Sequence, residues 1–404
     1  MRTRFTPVSL LLLLSSAALS PAVMADDSNW DVAANIDLQT RFFTQDARWP
    51  GQDSQTDAWS LALSAEFRWR NTDGDQRASI IPYLRWDAID EERSLADLPE
   101  AYWAFEGDDY EILVGANTVF WGVTESAHLV DIINQTDLVA DIDGEDKLGQ
   151  PMVNVELQRD WGLLSLYAMP YFRERTFAGA DGRFRTPLPV DDDNPVYESS
   201  REEQHVDVAL RYSHYIGDVD LGLSVFSGTS REPRLVLADD LMSFVPHYDL
   251  IDQVGLDLQY TRDAWLWKLE AIGRDTANDS FAAAVGGVEY TIYQLFDSSS
   301  DLGLLFEYQY DGRAPTEPLT LADNDVFVAT RFALNDVQDS TALMGVAYDL
   351  DTGAMFMNVE AERRIGENYV LELRARFFTN VEADDPMFII ADDDYLQLQL
   401  SRYF

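Results

Sequence analysis

The last ten residues of the chain, Tyr395 to Phe404, constrain the fold more than any other stretch. Leu396, Leu398 and Leu400 alternate with Gln397, Gln399 and Ser401. Side chains on a β-strand point to opposite faces in turn, so this stretch predicts a strand with one apolar and one polar face. A strand needs hydrogen-bonding neighbours, and here they must come from earlier in the chain. Pairing with the first strand would close a barrel, whereas a soluble sheet would leave it at an edge.

The same stretch resembles the closing strand of Gram-negative outer-membrane β-barrels, which also serves as their assembly signal. Leu396, Leu398, Leu400 and Phe404 match that pattern, and Arg402 departs from it where those barrels usually have an aromatic residue. The resemblance implies a location in the outer membrane, with lipid and lipopolysaccharide as surroundings. It also implies recognition by the barrel assembly machinery through Phe404.

The amino end has the features of a secretory signal peptide over residues 1–25. Arg2 and Arg4 form a basic start, an apolar segment follows, and Val23-Met24-Ala25 resembles a cleavage site. No later stretch has the roughly 18 to 20 apolar residues that a membrane helix requires. The sequence therefore predicts an exported domain over 26–404, either soluble in the periplasm or crossing a membrane as a closed barrel.

Composition excludes several classes of function. The chain has no cysteine, which rules out thiol redox chemistry and thiolate–metal sites. Its formal net charge of −43 opposes binding to nucleic acid and to anionic membrane surfaces. We predict no cofactor and no bound metal, and the sequence leaves a monomer and a homo-oligomer both open.

Period-two alternation recurs along the whole chain. In Trp59–Arg70, the side chains of Trp59, Leu61, Leu63 and Phe67 share one face, and Ser60, Ser64, Glu66 and Arg68 share the other. Segments of about ten residues with this pattern are typical of transmembrane barrels. Eighteen strands are predicted, at 33–44, 58–70, 77–87, 101–107, 110–117, 152–159, 163–173, 204–215, 219–228, 251–262, 264–274, 281–295, 302–311, 325–334, 340–349, 354–364, 369–379 and 395–404.

The connections between these strands alternate in length. Short turns rich in Gly, Asn and Asp, such as 71–75 and 366–368, alternate with longer loops such as 45–57 and 174–203. Outer-membrane barrels have short periplasmic turns, long outer loops and an even number of strands. We therefore predict an all-β, antiparallel up-and-down transmembrane barrel of about eighteen strands. Sixteen strands remain an alternative, because the compact stretch 101–117 could hold fewer.

If the apolar faces contact lipid, the polar faces line a lumen that carries charges of both signs. A barrel of this size is wide enough for water, and opposed Arg and Glu rows would orient a polar solute. Mutual pairing of these charges in a solvated wall is the simpler alternative. The candidate pore-lining residues are Arg41, Glu66, Arg68, Arg70, Arg85, Glu156, Arg211, Arg331, Glu360, Glu372, Arg374 and Arg376.

The long connection 118–151 is too apolar to lie wholly in water, since Leu129, Val130, Ile132 and Ile133 need cover. We predict that it folds into the lumen as a constriction. Its place as the third outer loop resembles the inward loop of general porins. Its Trp-Gly-x-x-Glu and Asn-x-x-Asp pattern also resembles a porin-like family of outer-membrane exporters and alginate-export barrels. A short surface helix over the rim is the alternative. The candidate constriction residues are Trp121, Glu125, His128, Asp131, Asn134 and Asp137.

Two further patterns in the sequence bear on catalysis and on metal binding. Outer-membrane lipid-modifying enzymes use a Ser and a His on the lipid-facing wall, but the adjacent Ser213 and His214 face opposite sides of a strand. The acidic run 141–146 could attract calcium, but its spacing misses the EF-hand pattern, so a solvated acidic loop is the interpretation. The sequence therefore predicts a non-enzymatic outer-membrane porin-like channel for the passive passage or export of a small polar or extended solute through a charged lumen. A plugged structural or adhesion barrel and a lipid-modifying enzyme are the alternatives.

Overall fold

The structure, a computed structural model, describes residues 29–404, so the predicted signal peptide lies outside the described residues. Eighteen antiparallel strands form one closed barrel, which confirms the predicted fold class and the strand count of eighteen. The barrel strands are β1 (Trp30–Phe43), β2 (Asp57–Arg70), β3 (Gln76–Asp87), β4 (Leu95–Glu106), β5 (Tyr110–Asn117), β6 (Gln150–Arg159), β7 (Gly162–Met169), β9 (Asp207–Ile216), β10 (Val219–Thr229), β13 (Leu250–Arg262), β14 (Trp265–Thr276), β15 (Ser280–Ile292), β16 (Asp301–Asp311), β17 (Asn324–Ala333), β18 (Thr341–Asp349), β19 (Met355–Ile365), β20 (Tyr369–Thr379) and β21 (Tyr395–Tyr403).

The first and last strands close the barrel. β1 pairs with β21 from Asn35–Tyr403 to Phe43–Tyr395, and the backbone N–H of Phe404 donates to Ala34 O at 2.9 Å. Every other barrel strand pairs with the barrel strands before and after it in the chain. Each barrel strand within residues 29–404 therefore has a neighbour on both sides. These neighbours pair the backbone N–H and C=O groups, which lipid offers no hydrogen-bonding partners for.

The two faces of each strand differ as the alternation predicts. On β2, Leu63 and Phe67 are 41% and 38% exposed on the outer surface, whereas Ser60 and Ala62 are buried on the inner side. Outward-facing aromatic rings cluster beside the short turns, for example Trp265, which lies 4.5 Å from the ring of Tyr290. An apolar outer band with aromatic residues near its edge is the arrangement that membrane barrels use at the lipid interface.

Connections of different length lie at opposite ends of the barrel. The short-turn end carries 71–75, 107–109, 160–161, 217–218, 263–264, 293–300, 334–340 and 366–368. The long-loop end carries 44–56, 88–94, 118–149, 170–206, 230–249, 277–279, 312–323, 350–354 and 380–394. Gly217 and Gly366 have φ of 65° and 67°, the left-handed conformation that tight hairpin turns require of glycine.

Strand β4 begins at Leu95, six residues earlier than the predicted start at 101. Its pairing with β3 shifts in register between Ile81 and Tyr83, beside Pro82, and Pro99 lies within the early part of β4. A bulge adds an unpaired residue and proline removes a donor, so both disturb the period-two pattern on which the prediction depended.

A second, three-stranded sheet lies among the long loops and was not predicted. It comprises β8 (Val196–Tyr197), β11 (Arg234–Leu237) and β12 (Phe244–Tyr248). β12 pairs antiparallel with β11 and parallel with β8, which ties loop 170–206 to loop 230–249. Among residues 29–404, no helix is long and apolar enough to cross a membrane.

Candidate functional site in the barrel lumen

The connection between β5 and β6, residues 118–149, packs against side chains of the inner barrel wall, and we call it the inward loop. The described residues of this loop contain no helix, so the surface-helix alternative is wrong. Val130, Ile132 and Ile133 are at most 3% exposed and share a core with inward-facing wall residues such as Phe226 and Ile272. Burial of these apolar side chains is the force that holds the loop inside the barrel.

Trp121 belongs to the same core. Its ring lies 5.6 Å from the ring of Tyr167 on β7, edge to face, and the guanidinium of Arg211 lies 5.1 Å from its centroid. Arg211 is held in turn by Asp257 on β13, at 2.8 Å. This aromatic and cationic packing fixes the start of the loop to the β7–β13 side of the wall.

Two carboxylates further along the wall bind the loop backbone. Glu270 on β14 accepts hydrogen bonds from the N–H groups of Val123 and Thr124 at 2.7 and 3.0 Å. Glu307 on β16 accepts from the N–H of Glu125 at 2.9 Å and from that of Ser126 at 2.8 Å. Hydrogen bonds to an ionised acceptor are stronger than neutral ones, so the two carboxylates anchor residues 123–126 to the wall.

Glu125 carries an ion pair on the same side. Its carboxylate lies 2.5 Å from Arg331 Nη2 on β17 and 3.9 Å from Lys268 Nζ on β14. The Arg331 side chain is 44% exposed, so this pair faces open lumen rather than protein. A predicted wall residue and a predicted loop residue therefore meet at the free edge of the loop.

The later part of the loop reaches the strands that close the barrel. Asp141 lies 3.0 Å from Arg374 and accepts a hydrogen bond from Tyr395 Oη at 2.8 Å. Asp143 lies 3.0 Å from Arg376, which also pairs with Glu360 at 2.6 Å. The interpretation of 141–146 as a solvated acidic loop is thus wrong at these two positions, because wall arginines bind both carboxylates.

Burial and these neighbours shift the two loop carboxyls in opposite directions. Burial opposes ionisation of Asp141, but Arg376, Arg41 and Arg374 outweigh it and lower its pKa. Burial and the adjacent Asp141 charge raise the pKa of Asp143. Asp141 is therefore the fixed anion of this cluster, and Asp143 is the group that can take up a proton.

Further contacts hold the middle of the loop near β1 and β3. Arg41 donates to Ala140 O at 2.9 Å and to Gln397 Oε1 at 2.8 Å. Arg85 lies 2.8 Å from Asp137, whose other oxygen accepts from Thr176 at 2.9 Å. The loop therefore contacts β1, β3, β20 and β21 at one end and β14, β16 and β17 at the other, so it crosses the lumen.

Polar contacts within the loop join its outgoing and returning halves. His128 Nε2 lies 2.7 Å from Glu145 Oε1, and Lys147 Nζ lies 3.1 Å from Asp131. Burial opposes protonation of His128, but the Glu145 and Glu270 carboxylates outweigh it and raise the pKa of His128 to about 10. Asn134 accepts from the N–H of Val119 and donates to Leu148 O, which fixes the loop at its neck.

The remaining predicted wall residues do not meet the loop. Glu66 pairs with Arg68 at 3.0 Å, and Arg70 lies 3.7 Å from Glu106, all with exposed side chains near the short turns. Glu156 accepts from Ser165 at 3.2 Å, and Glu372 lies 3.9 Å from Arg374. Apart from Glu156, these charges pair with other charges along the wall, which is the simpler alternative that the sequence left open.

Two cavities lie within and above the lumen. A cavity of about 1110 Å³ among the long loops, the vestibule, is lined by Arg41, Arg93 and Arg183 among others. A cavity of about 730 Å³, the chamber, lies between the inward loop and the wall, with Glu125 and His128 on the loop side and Phe327 and Asn358 on the wall side. Both have the size of small-molecule sites.

Sequence reasoning missed a charged cluster where the two cavities meet. Glu232 lies 2.6 Å from Arg274 Nη1 and 3.5 Å from Arg313 Nη1, and Arg175 lines the same two spaces. Arg274 shares the inward alternation of Lys268 and Glu270 on β14, which could have identified it. The other three lie in loops, where no periodicity marks the direction of a side chain.

One group of acidic side chains lies close enough to hold a cation. Carboxylate oxygens of Asp323, Asp325 and Asp349 lie within 4.8 Å of one another, where β17 begins and β18 ends. Asp325 and Asp349 accept hydrogen bonds from nearby backbone N–H groups. Asp323 is exposed, and the two buried carboxylates already accept these backbone hydrogen bonds, so the geometry assigns no ion.

No protein-family model matches the sequence, and no curated protein matches it. Among solved structures, Wzi, a carbohydrate-binding outer-membrane β-barrel involved in group 1 capsule assembly in Escherichia coli, is similar with a TM-score of 0.55 and 10% identity. The similarity covers 92% of this chain and 84% of that one.

Two further barrels have lower TM-scores. A mutant of the Rh. blastica porin has a TM-score of 0.44 and 14% identity, covering 93% of this chain and 100% of that one. OmpT, an outer-membrane protein of Vibrio cholerae, has a TM-score of 0.44 and 8% identity, covering 94% and 100%. At such identities only the fold is shared, and the fold that this chain shares with Wzi is that of a closed outer-membrane-type β-barrel.

Proposed function

We propose that this protein is an outer-membrane channel through which small polar solutes pass passively, with the inward loop as its constriction. One observation carries the proposal: a closed barrel encloses a charged lumen that the loop narrows, while the vestibule and the chamber leave space above and beside the loop. A polar lumen narrowed by one loop gives solute selection through size and charge.

In this proposal the predicted site residues have three roles. Arg41, Arg85, Arg374 and Arg376 hold the loop in place, because their guanidinium groups bind its carbonyl and carboxylate oxygens. Arg331 with Glu125 forms the charged edge that a solute meets. The exposed charges of Glu66, Arg68 and Arg70 line the periplasmic mouth.

The proposed surroundings follow from the outer surface. The apolar band contacts outer-membrane lipid, the long loops contact lipopolysaccharide, and the periplasmic turns lie at the opposite end. Phe404, paired through its backbone with Ala34, presents the signal to the barrel assembly machinery. Nothing in this scheme requires a homo-oligomer, although the outer band could support one.

Planar-bilayer recording of the purified protein tests the proposal. We expect discrete channels, and a larger conductance in a variant in which a short Gly-Ser linker replaces residues 122–146. A variant lacking the tip 238–243 of the β11–β12 hairpin is the control, since that tip lies outside the inward loop. The absence of channels in both wild type and the shortened-loop variant would contradict conduction, and strong cation selectivity would contradict the role of the lumen arginines.

A plugged barrel with a structural or adhesive role is the second candidate. The observation that favours it is that the loop is bonded at both ends of its path, to Glu270 and Glu307 on one side and to Arg374 and Arg376 on the other. Such a barrel would conduct only after the loop is removed. Channels in the shortened-loop variant alone would therefore favour this candidate over the first.

We infer no enzymatic step. Tyr212 and His214 lie on one face of β9, with ring centroids 6.2 Å apart, and Ser213 between them faces the other way. A nucleophile and its base must lie within hydrogen-bonding reach of each other. The side chains of Ser213 and His214 point to opposite faces of β9, so they do not meet this condition. Phospholipid turnover that depends on His214 would contradict this inference.

A further inference from the structure

The vestibule and the chamber meet at a small set of shared residues. We call this set the junction; its members are Leu138, Ile142, Arg175, Glu232, Arg313, Thr320 and Leu321. A solute that moves from the vestibule into the chamber therefore contacts the junction. The junction combines guanidinium groups with aliphatic side chains, so polar solutes that differ in charge and in apolar surface should bind to it with different affinities.

The junction and its direct neighbours carry more positive than negative charge. Glu232 is bound by Arg274 at 2.6 Å and lies 3.5 Å from Arg313, while Asp311 pairs with Arg313 at 2.7 Å. Burial opposes ionisation of Glu232, but Arg313, Arg274 and Arg175 outweigh it and lower its pKa. The three guanidinium groups of Arg175, Arg274 and Arg313 face the two carboxylates of Glu232 and Asp311. The net charge of these five groups is therefore +1.

Arg175 is the guanidinium that carries this excess. Its Nε lies 3.5 Å from Gln135 Oε1, and within residues 29–404 no hydrogen bond or ion pair uses its two terminal nitrogens. Arg274 and Arg313, by contrast, direct theirs to Glu232, Asp311 and Pro318 O. The planar fork of an arginine matches the two oxygens of a carboxylate, so Arg175 offers a bidentate site.

The chamber below the junction has an apolar wall. Phe327, Leu343, Ala347 and Phe356 point inward from β17, β18 and β19 and line it. Phe327 packs with Leu343 and Ala347 in a cluster that is separate from the core of the inward loop. A ligand that contacts this wall removes apolar surface from water, which favours a hydrocarbon body over a fully hydrophilic one.

We propose that the junction and chamber bind a small organic monocarboxylate with an apolar body, its carboxylate on Arg175 and its hydrocarbon part against the Phe327 wall. The proposal deepens the proposed channel function and rests on it for its biological meaning. It goes beyond a generally charged lumen, because it names the solute class that the arrangement favours. A single open guanidinium beside an apolar wall suits one carboxylate rather than two.

Calorimetric titration of the purified full-length protein in detergent micelles tests this proposal, with empty micelles as the blank. We expect benzoate to bind, and benzamide and acetate to bind at least about tenfold more weakly, because one lacks the charge and the other the apolar body. Arg175→Gln should weaken benzoate binding about tenfold or more, and Arg175→Lys should weaken it less, since it keeps the charge but loses the fork.

Arg201→Gln is the matched control, because Arg201 lies exposed in the loop before β9 and should leave benzoate binding unchanged. Heat-dependent mobility on gels checks that each variant is folded. Equal binding of benzoate, benzamide and acetate by the wild type would overturn the proposal without any variant, as would full binding by folded Arg175→Gln. Because binding is measured without conductance, a barrel that binds benzoate but forms no channel would refute the channel and leave the site intact.

Discussion

His128 and Glu145 join the two halves of the inward loop, with Nε2 and Oε1 2.7 Å apart. The pKa of His128 is raised to about 10, from an ordinary value of 6.5. A group whose pKa is raised on folding stabilises the fold fully below its unfolded pKa and loses that effect as the pH rises through its folded pKa. The loop should therefore be held most firmly near pH 6.5 and loosen as the pH approaches 10.

We expect conductance fluctuations in planar bilayers to increase over that pH range in the wild type. His128→Gln should show the looser behaviour already at pH 6.5, and little further change with rising pH. Glu156→Gln is the control, because Glu156 bonds only Ser165 on the wall and touches no loop residue. A wild-type trace that stays equally quiet from pH 6.5 to pH 10 would contradict the role of this ion pair.

Replacement of Glu307 by Gln should release the near end of the loop. Its carboxylate accepts from two backbone N–H groups and from Ser126 Oγ at 2.6 Å, and it is fully buried. Hydrogen bonds to a charged acceptor contribute about 1.5 to 3 kcal/mol each, so loss of the charge weakens several at once. Protease cleavage within residues 120–130 of the folded protein measures the release, and cleavage no faster than in wild type would count against the anchor.

Reversal of charge at Arg331 should shift ion selectivity. Arg331 is the half-exposed partner of Glu125 at the free edge of the loop, and Arg331→Glu would place two carboxylates together there. We expect the reversal potential in a salt gradient to move toward cations. Arg364→Glu is the control, because Arg364 pairs with Asp339 at an exposed site beside the short turns. Equal shifts in both variants would mean that this edge is not the selective point.

The lipid-facing side of the barrel can be tested on two adjacent residues of β2. Leu63 is 41% exposed on the outer face, and Ser64 lies on the inner face. An arginine near the membrane midplane of the lipid face destabilises a barrel by about 2–4 kcal/mol, whereas the lumen tolerates charge. Urea unfolding from lipid vesicles should therefore show a large loss for Leu63→Arg and a small one for Ser64→Arg. The reverse order would invert the assignment of the faces.

The last residue should matter more for assembly in cells than for stability. Phe404 contributes one backbone bond, to Ala34, and its ring lies 4.6 Å from the Arg402 guanidinium. Phe404→Ala keeps the backbone bond, so we expect normal refolding in detergent but a reduced amount of folded barrel in the outer membrane. Leu400→Ala, in the same strand and 40% exposed, serves as the comparison. Equal assembly of Phe404→Ala and wild type in cells would remove the proposed role of this ring in recognition.

The wall was predictable because its signal is local. Each strand repeats the same period of two, and turns such as 366–368 carry the residues that hairpins require, so the eighteen strands follow from neighbouring residues alone. The prediction failed where local order breaks, at the bulge between Ile81 and Tyr83 that precedes the early start of β4. The small sheet of β8, β11 and β12 was missed because its strands are too short to show a period.

The partners of the loop were not predictable in the same way. The apolar run Leu129 to Ile133 indicated that the segment needed cover, and it packs against the inner wall. The pairing of Asp141 with Arg374 joins residues 233 positions apart, and that of Arg85 with Asp137 joins residues 52 apart. Composition shows an excess of acidic residues but does not show which of them pair with arginines. The run 141–146 was therefore predicted to be solvated.

The inward loop makes the circumference of the barrel and the width of its open passage independent of each other, whereas in a barrel without such a loop the one would determine the other. It covers the wall from β4 to β15 with an apolar core and leaves the chamber beside β16 to β19. The circumference is set by ladder hydrogen bonds, whereas the free cross-section at the constriction is set largely by one segment, residues 118–149. Insertions or substitutions in that one segment can thus retune which molecules are admitted while the cylinder and its fit to the bilayer stay unchanged.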